Sequence, residues 1–565
     1  YAVDVDGKLA LDTARGLNLR GAAAALLEHV SGDAPYRIAV RGAPGRLPDI
    51  AAQSDLTGVA LNFPAPFAKP AGTTMPFRFT LQPAPQTDGT RLEHADLTLG
   101  PVSATYLLDA TRGAPLRAVR GAMGIHRMPD MPQEGVSAAV DVDAFDADAW
   151  IALARTLRAE TPRATQPPAA SRVDVASFAP KRFALHFGTL TLLKRNWENV
   201  IVGASHVDDL WQANIASNQV SGYLSWAPGG GHNGAGVLNA RLAKLVIPDS
   251  AQHDLVGRAM NLPTPTDRPM PSVDVIVDQV VARNHDIGRL VVNARNVDEN
   301  GTPVWQLDRL TLTNPDAKLS ATGNWRTSRR ALARGVDESE APRRSVFDFR
   351  LDVDDAGALL DRVGLPRTLA KGQGSVTGKV GWRGGPTAVD LPSLNGQIAL
   401  DLEHGQILKV DPGAAKLLGV LSLQSLARFL TLNFRDVIGK GLPFDKITGT
   451  ARVSNGIART DDFAMTTAPA NVTVRGAVDL GTETQDLHAH VAPKVGAGAA
   501  AIAAAVINPL LGVGVLAADF ALSQTLQHAF ALDYAITGSW AHPHIERVRG
   551  DQGKMNRDAA EAPGH

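Results

Sequence analysis

Between residues 345 and 493 one rule of alternation repeats from segment to segment, and it limits the fold more than any other feature of the chain. In Phe347-Asp348-Phe349-Arg350-Leu351-Asp352-Val353 every odd position is apolar and every even one is charged. Val472-Thr473-Val474-Arg475-Gly476-Ala477-Val478 follows the same rule in its own phase, and Leu487-His488-Ala489-His490-Val491 repeats it. A period of two sends apolar side chains to one face of a sheet and polar ones to the other. Turn residues punctuate the runs at Ala356-Gly357, Gly384-Gly385-Pro386, Asn455-Gly456 and Ala468-Pro469-Ala470. Asn-Gly between two alternating runs is a strong hairpin signal. The pattern predicts an antiparallel meander with one greasy face and one wet face.

Composition narrows the function classes. The chain has 565 residues, with 53 Gly and 36 Pro, and long amphipathic helical patterns are few. Net charge is −1 and no basic block stands out, so phosphate neutralisation, the basis of nucleic-acid binding, has no footprint here. Aromatics are 5%, too sparse for a base-stacking or sugar-stacking groove. Cysteine is absent, which removes thiol catalysis, Cys-based metal sites and disulfides together. Such a chain suits any compartment, the bacterial periplasm included. Tyr1 opens inside an alternating run, so the reading expects further sequence ahead of it.

Taken in order, strands are expected over 3–19, a short Ala-rich helix over 20–30, and strands again over 36–40 and 47–63. The organisation expected is β-groove repeats over 1–155, a linker over 156–181, and further repeats over 182–330 with a Pro-rich loop at 249–271. A charged loop over 331–345 then leads into a C-terminal β-groove region over 346–548, with helical insertions at 412–430 and 495–530 and a disordered tail over 549–565. Several strands followed by one long excursion is a repeat that stacks on its neighbours.

Scattered motifs carry a resemblance. Ser54-Asp55-Leu56-Thr57-Gly58 precedes Phe63-Pro64-Ala65-Pro66-Phe67-Ala68-Lys69-Pro70, and Asp148-Ala149-Trp150 follows at a helix start. Further on come Trp197–Ser205 with Val220-Ser221-Gly222, then Gly405–Gly413, Phe434-Arg435-Asp436-Val437 and Tyr534–Trp540. In this order the chain resembles the YhdP branch of the AsmA-like envelope proteins, related to TamB. Phe63 stands where that family has Leu, which keeps the apolar character. The resemblance implies a protein of the Gram-negative cell envelope, anchored in the inner membrane by a helix N-terminal to Tyr1. It would span the periplasm and carry phospholipid toward the outer membrane, which the C-terminal end meets.

Geometry gives the alternation a consequence. Roughly thirty to thirty-five strands at about 4.8 Å spacing would make a sheet about 150 Å long. Twist curls a sheet of that width into a gutter. Bulky aromatics and covering helices are scarce, and an apolar trough left empty is not tolerated in water. Lipid acyl chains are the natural filling. The expected lining begins at Leu310 and Leu312 and continues through Phe347, Phe349, Leu351 and Val353. Ile398, Leu400 and Leu402 come next, then Phe463, Met465, Val472, Val474 and Val478. Ordinary packing in a core is the competing fate of each.

Two helical interruptions are expected. Asp411 at the N-cap and Pro412 at N1 start a helix whose apolar side changes partway. Leu417, Leu418 and Leu421 share one side and Leu426 the other, so two short helices that plug the gutter, or pack as core, both satisfy the pattern. The stretch 495–518 carries no charge but is rich in Ala and Gly and is broken by Asn508-Pro509. Two short helices through Leu510 and Leu511, dipping into a bilayer or capping the groove, fit better than one span. The amphipathic piece with Leu522 and Leu526 follows.

The search for chemistry returns no catalytic site. Asp352-Val353-Asp354-Asp355-Ala356-Gly357 opens like a calcium loop but has Ala356 and Val363 where ligands belong. His542-Pro543-His544 lacks a third ligand near in sequence, and nucleophile-elbow, zincin and phosphate-loop motifs are missing. The expectation is a non-enzyme without cofactor or metal: a periplasm-spanning lipid bridge. Two rivals remain, a TamB-like assembly factor that templates outer-membrane strands on its sheet edge, and an envelope-sugar enzyme with paired carboxylates.

Overall fold

The computed structural model describes residues 1–10, 26–42, 48–84, 92–111, 114–160, 173–231, 234–247, 270–282, 284–299, 302–327, 343–387, 389–408, 441–468, 470–494, 532–540 and 542–548. Among them stand 27 strands and only short helices, the mainly β class that the alternation predicts. The chain divides into two compact units, Tyr1–Gly229 with Asn239–Leu245, and Gly230–Leu238 with Val246–His565.

The first unit carries β1 (Ala2–Ala10), β2 (Val30–Arg41), β3 (Asp49–Ser54), β4 (Val59–Leu61), β5 (Phe77–Pro83), β6 (Leu92–Leu99), β7 (Val102–Asp109), β8 (Arg117–Ile125), β9 (Gly135–Asp146), β10 (Arg182–Leu192), β11 (Arg195–Val207), β12 (Leu210–Ala216) and β13 (Val220–Ala227). Pairing is antiparallel from β1 to β2, β3, β5 and onward to β8, and again from β10 to β13. β9 departs from the meander, because it runs parallel to both β8 and β10. A parallel neighbour needs a crossover. Helix α1 (Ala147–Glu160) and a single 3-10 turn at Val175–Phe178 lie on the one between β9 and β10. The sheet is therefore mixed.

Capping explains where α1 starts. The Asp146 carboxylate accepts the Ala149 N–H at 2.9 Å, which satisfies one of the donors every helix N-terminus leaves open. Asp148 accepts the N–H groups of Leu193 and Lys194 at 2.8 and 2.6 Å, tying the helix to the β10–β11 turn. α1 runs on to Glu160, into the stretch that composition reads as linker.

β14 (Val237–Ile247) is divided between the units. The second unit continues with β15 (Ser272–Ala282), β16 (His285–Glu299), β17 (Thr302–Thr313), β18 (Ala317–Thr327), β19 (Arg343–Val353), β20 (Leu369–Arg383), β21 (Asn395–Ile407), β22 (Leu442–Ser454), β23 (Ile457–Thr466), β24 (Ala470–Asp479), β25 (Thr484–Pro493), β26 (Leu532–Ser539) and β27 (Pro543–Val548). Every consecutive pair from β15 to β27 is antiparallel. Asn455 and Gly456 both take positive φ, 48° and 78°, between β22 and β23, as a two-residue hairpin turn requires. The acidic run that opens like a calcium loop is a helix start. Asp355 caps α2 (Ala356–Arg362) by accepting the Ala358 N–H at 2.9 Å. The main core lies in this unit, around Ile447, Met465, Val472, Val491 and Ile536.

Leu417, Leu418, Leu421, Leu426, Leu510, Leu511, Leu522 and Leu526, expected on the two helical interruptions, lie outside the described residues. Among the described residues no helix is long and apolar enough to cross a membrane.

Candidate functional site

In the second unit the strand register converts alternation into continuous apolar rows. One row runs Val277, Leu290, Leu312, Leu319, Leu351, Val376, Leu400 and Gly449, each residue opposite the next across eight strands. The row beside it runs Val275, Val292, Leu310, Ala321, Phe349, Gly378, Ile398 and Ala451. At about 4.8 Å per strand each row extends about 34 Å. A third, Val353, Gly374, Leu402, Ile447, Met465, Val472, Val491 and Leu532, continues to β26.

The opposite face is charged and paired. Asp348, Lys379, Gln397, Arg452 and Arg459 form one of its rows. Lys379 meets Asp348 at 3.2 Å, Arg350 meets Asp352 at 2.7 Å, and Lys446 bridges Asp401 and Glu403 at 3.2 and 2.7 Å. The hydrogen bond from Lys446 lowers the Glu403 carboxyl below its ordinary range, and the same bond raises the lysine. These exposed pairs keep one face wet and contribute little to stability.

Aromatic rings on the apolar face lie down over glycines. Phe349 stands opposite Gly378, and its ring occupies the space of a Cβ there (2.7 Å). Phe463 does the same at Gly449 (2.9 Å), and Phe347 at Gly323. Rings laid against backbone add apolar area without standing up into the space above the sheet.

The expected lining residues fall into two groups. Phe349, Ile398, Leu400, Phe463 and Val478 bound one cavity of ≈ 280 Å³, together with Val376, Val453 and Leu487. Val353, Leu402, Met465, Val472 and Val474 are buried in the main core, as are Phe463 and Val478, with Phe347, Leu351 and Leu400 packed against it. Leu310 packs against the cluster of Trp305 and Trp325, and Leu312 is half-buried in its row.

The first unit holds a larger cavity, ≈ 790 Å³, that sequence reasoning did not locate. Ile38, Ala52, Phe77 and Leu99 from the sheet form one side; Leu56, Val59, Leu61, Phe63 and Phe67 from the excursion between β3 and β5 form the other, with Trp150 of α1. Lys69 is 4% exposed, and its ammonium donates to the carbonyls of Leu56, Val59 and Pro70 at 2.9, 2.7 and 3.2 Å. Phe63 stacks on Trp150 at 6.4 Å, Phe67 meets it edge-on at 5.6 Å, and Trp150 Nε1 donates to the Ala65 carbonyl at 3.0 Å. The available signal was the Ser54–Gly58 and Phe63–Pro70 pair of motifs, which spacing alone leaves as turn chemistry.

Among the described residues no group of three or more acidic or histidine side chains is placed to hold a metal. His488 is exposed on the wet face of β25, and His490 Nδ1 donates to the Asp533 carboxylate at 2.8 Å beside it.

The family model described as YhdP protein matches residues 1–545. The chain is 25% identical over 532 residues to the intermembrane phospholipid transporter YhdP of Escherichia coli (strain K12), a match covering 91% of this chain and 38% of that relative's length. No solved structure matches. With apolar rows, a charged outer face and a family match over nearly its whole length, the chain belongs to the YhdP family.

Proposed function

We propose that the chain is a segment of a lipid bridge in the bacterial envelope, passing phospholipid between inner and outer membranes across the periplasm. The observation that carries this reading is the pair of apolar rows through Leu312, Leu351 and Leu400 and through Leu310, Phe349 and Ile398, backed by an opposite face rich in charged residues. Phe347, Val353, Leu402, Phe463, Met465, Val472, Val474 and Val478 lie on the same face, packed in or against the main core. The name of the Escherichia coli relative, an intermembrane phospholipid transporter, supplies the cargo class.

The mechanism uses no catalytic group. Acyl chains lie on the apolar face while head groups stay hydrated at its rim. Moving a chain from a bilayer onto this face exchanges one apolar surface for another. Crossing water instead costs about 0.8 kcal/mol per CH₂, about 13 kcal/mol for a sixteen-carbon tail. The conduit removes most of that barrier, and its smooth lining makes no choice among head groups. Transfer of a fluorescent phospholipid from donor to acceptor vesicles tests the proposal. The chain should accelerate transfer in proportion to its concentration; no acceleration, with lipid-free protein recovered, overturns it.

A further inference from the structure

The 790 Å³ cavity of the first unit is built differently from an open sheet face. β2 divides its partners: Arg37–Arg41 pair with β3, whereas Val30, Ser31 and Gly32 pair with Leu61, Ala60 and Val59 of β4. The excursion over 55–76 thereby stands as a second apolar layer opposite Ile38, Ala52 and Phe77.

That layer is braced from within. Lys69 has three donors, and all three go to carbonyls of the excursion itself. Leu61 and Lys69 exchange backbone hydrogen bonds at 2.8 and 3.0 Å, Gly58 N–H reaches the Ala71 carbonyl at 2.8 Å, and Met75 N–H reaches that of Asp55 at 2.8 Å. The ammonium is thus spent on positioning the wall and has nothing left for a head group. Ser54 is also spent, donating to the Pro35 carbonyl at 2.7 Å and accepting the Leu56 N–H at 3.0 Å.

An apolar lining of this kind favours apolar guests over water. A methylene needs about the room of one liquid water, about 30 Å³. One eighteen-carbon tail then needs about 540 Å³ and two need about 1,080 Å³. The cavity's ≈ 790 Å³ takes the first and falls short of the second.

We infer that this cavity is a holding site for a single acyl chain of a phospholipid, with the second chain and the head group left outside. The inference rests on the lipid-bridge reading and adds a discrete station to it. Such a station slows a lipid at a fixed point by admitting one tail while its partner stays on the open face.

The test places p-benzoylphenylalanine, one site at a time, at Phe77 in the cavity, at Ile398 in the second unit and at Arg37, exposed on the opposite face of β2. The full chain is incubated with vesicles of phosphatidylethanolamine and phosphatidylglycerol, irradiated and weighed intact. One phospholipid adduct at Phe77 and at Ile398, with none at Arg37, is the expected result. Adducts at Ile398 alone overturn the holding site and leave the bridge standing. Adducts at neither Phe77 nor Ile398 overturn both. The same label at Leu61, on the facing wall, repeats the measurement should the Phe77 variant fold poorly.

Discussion

Phe349 and Gly378 stand opposite each other on β19 and β20, and the phenyl ring fills the space a side chain at 378 would need. The pair keeps the ring flat against the sheet, because any Cβ at 378 forces the ring upward. Gly378→Val should cost about 1–3 kcal/mol, the usual range for overpacking, and reduce bound phospholipid. Phe349→Leu in the same background should recover part of both. Urea midpoints and lipid content measure the two effects; an unchanged midpoint for Gly378→Val would show that the ring has room to spare.

Lys69→Met keeps the aliphatic stem and removes the ammonium. The Leu56, Val59 and Pro70 carbonyls then lose their donor in a buried place. The expected loss is about 1–3 kcal/mol, read as a lower unfolding midpoint of the first unit. Equal midpoints for variant and parent would mean that water serves these carbonyls as well.

Acid should weaken the second unit through Asp462. Burial pushes its carboxyl up, but hydrogen bonds from the Thr450 N–H and hydroxyl, at 2.7 and 2.8 Å, and from Thr460 outweigh that and hold it below the ordinary value. Asp479 is lowered in the same direction by the N–H groups of Thr482 and Gly481. A depressed folded value means the contribution is complete above the unfolded pKa, about 3.9, and is lost as pH falls through the folded one. Melting temperature should therefore hold from neutral pH down to about 5 and then decline. Asp462→Asn should lower the plateau and shallow the decline. A decline as steep as the parent's would assign the acid sensitivity elsewhere.

The faces of the sheet were readable from the sequence because alternation determines them without any long-range information. Phe347–Val353 lies in β19 as its period requires, with Asp348 and Arg350 exposed, and Asn455-Gly456 is a hairpin turn. Strand direction was not readable, since a period of two says which face a residue takes and nothing of its partner. Hence β9, parallel to both neighbours, was missed. Register was also hidden, so Phe349 could not be matched to Gly378. The burial of Lys69 follows from three carbonyls that converge only once the excursion folds. Asp355 reads as a turn acid, and only the helix behind it makes it a cap.

Leu400 gives the central claim its sharpest test, for it is half-buried near the β22 end of the first apolar row, between Val376 and Gly449. Native mass spectrometry of the purified chain should show phospholipid bound to the parent and to Gln397→Asp, whose side chain is exposed on the wet face. It should show little or none on a folded Leu400→Asp, where a carboxylate interrupts the row. Parent protein free of phospholipid, or Leu400→Asp carrying as much as the parent, would contradict the account.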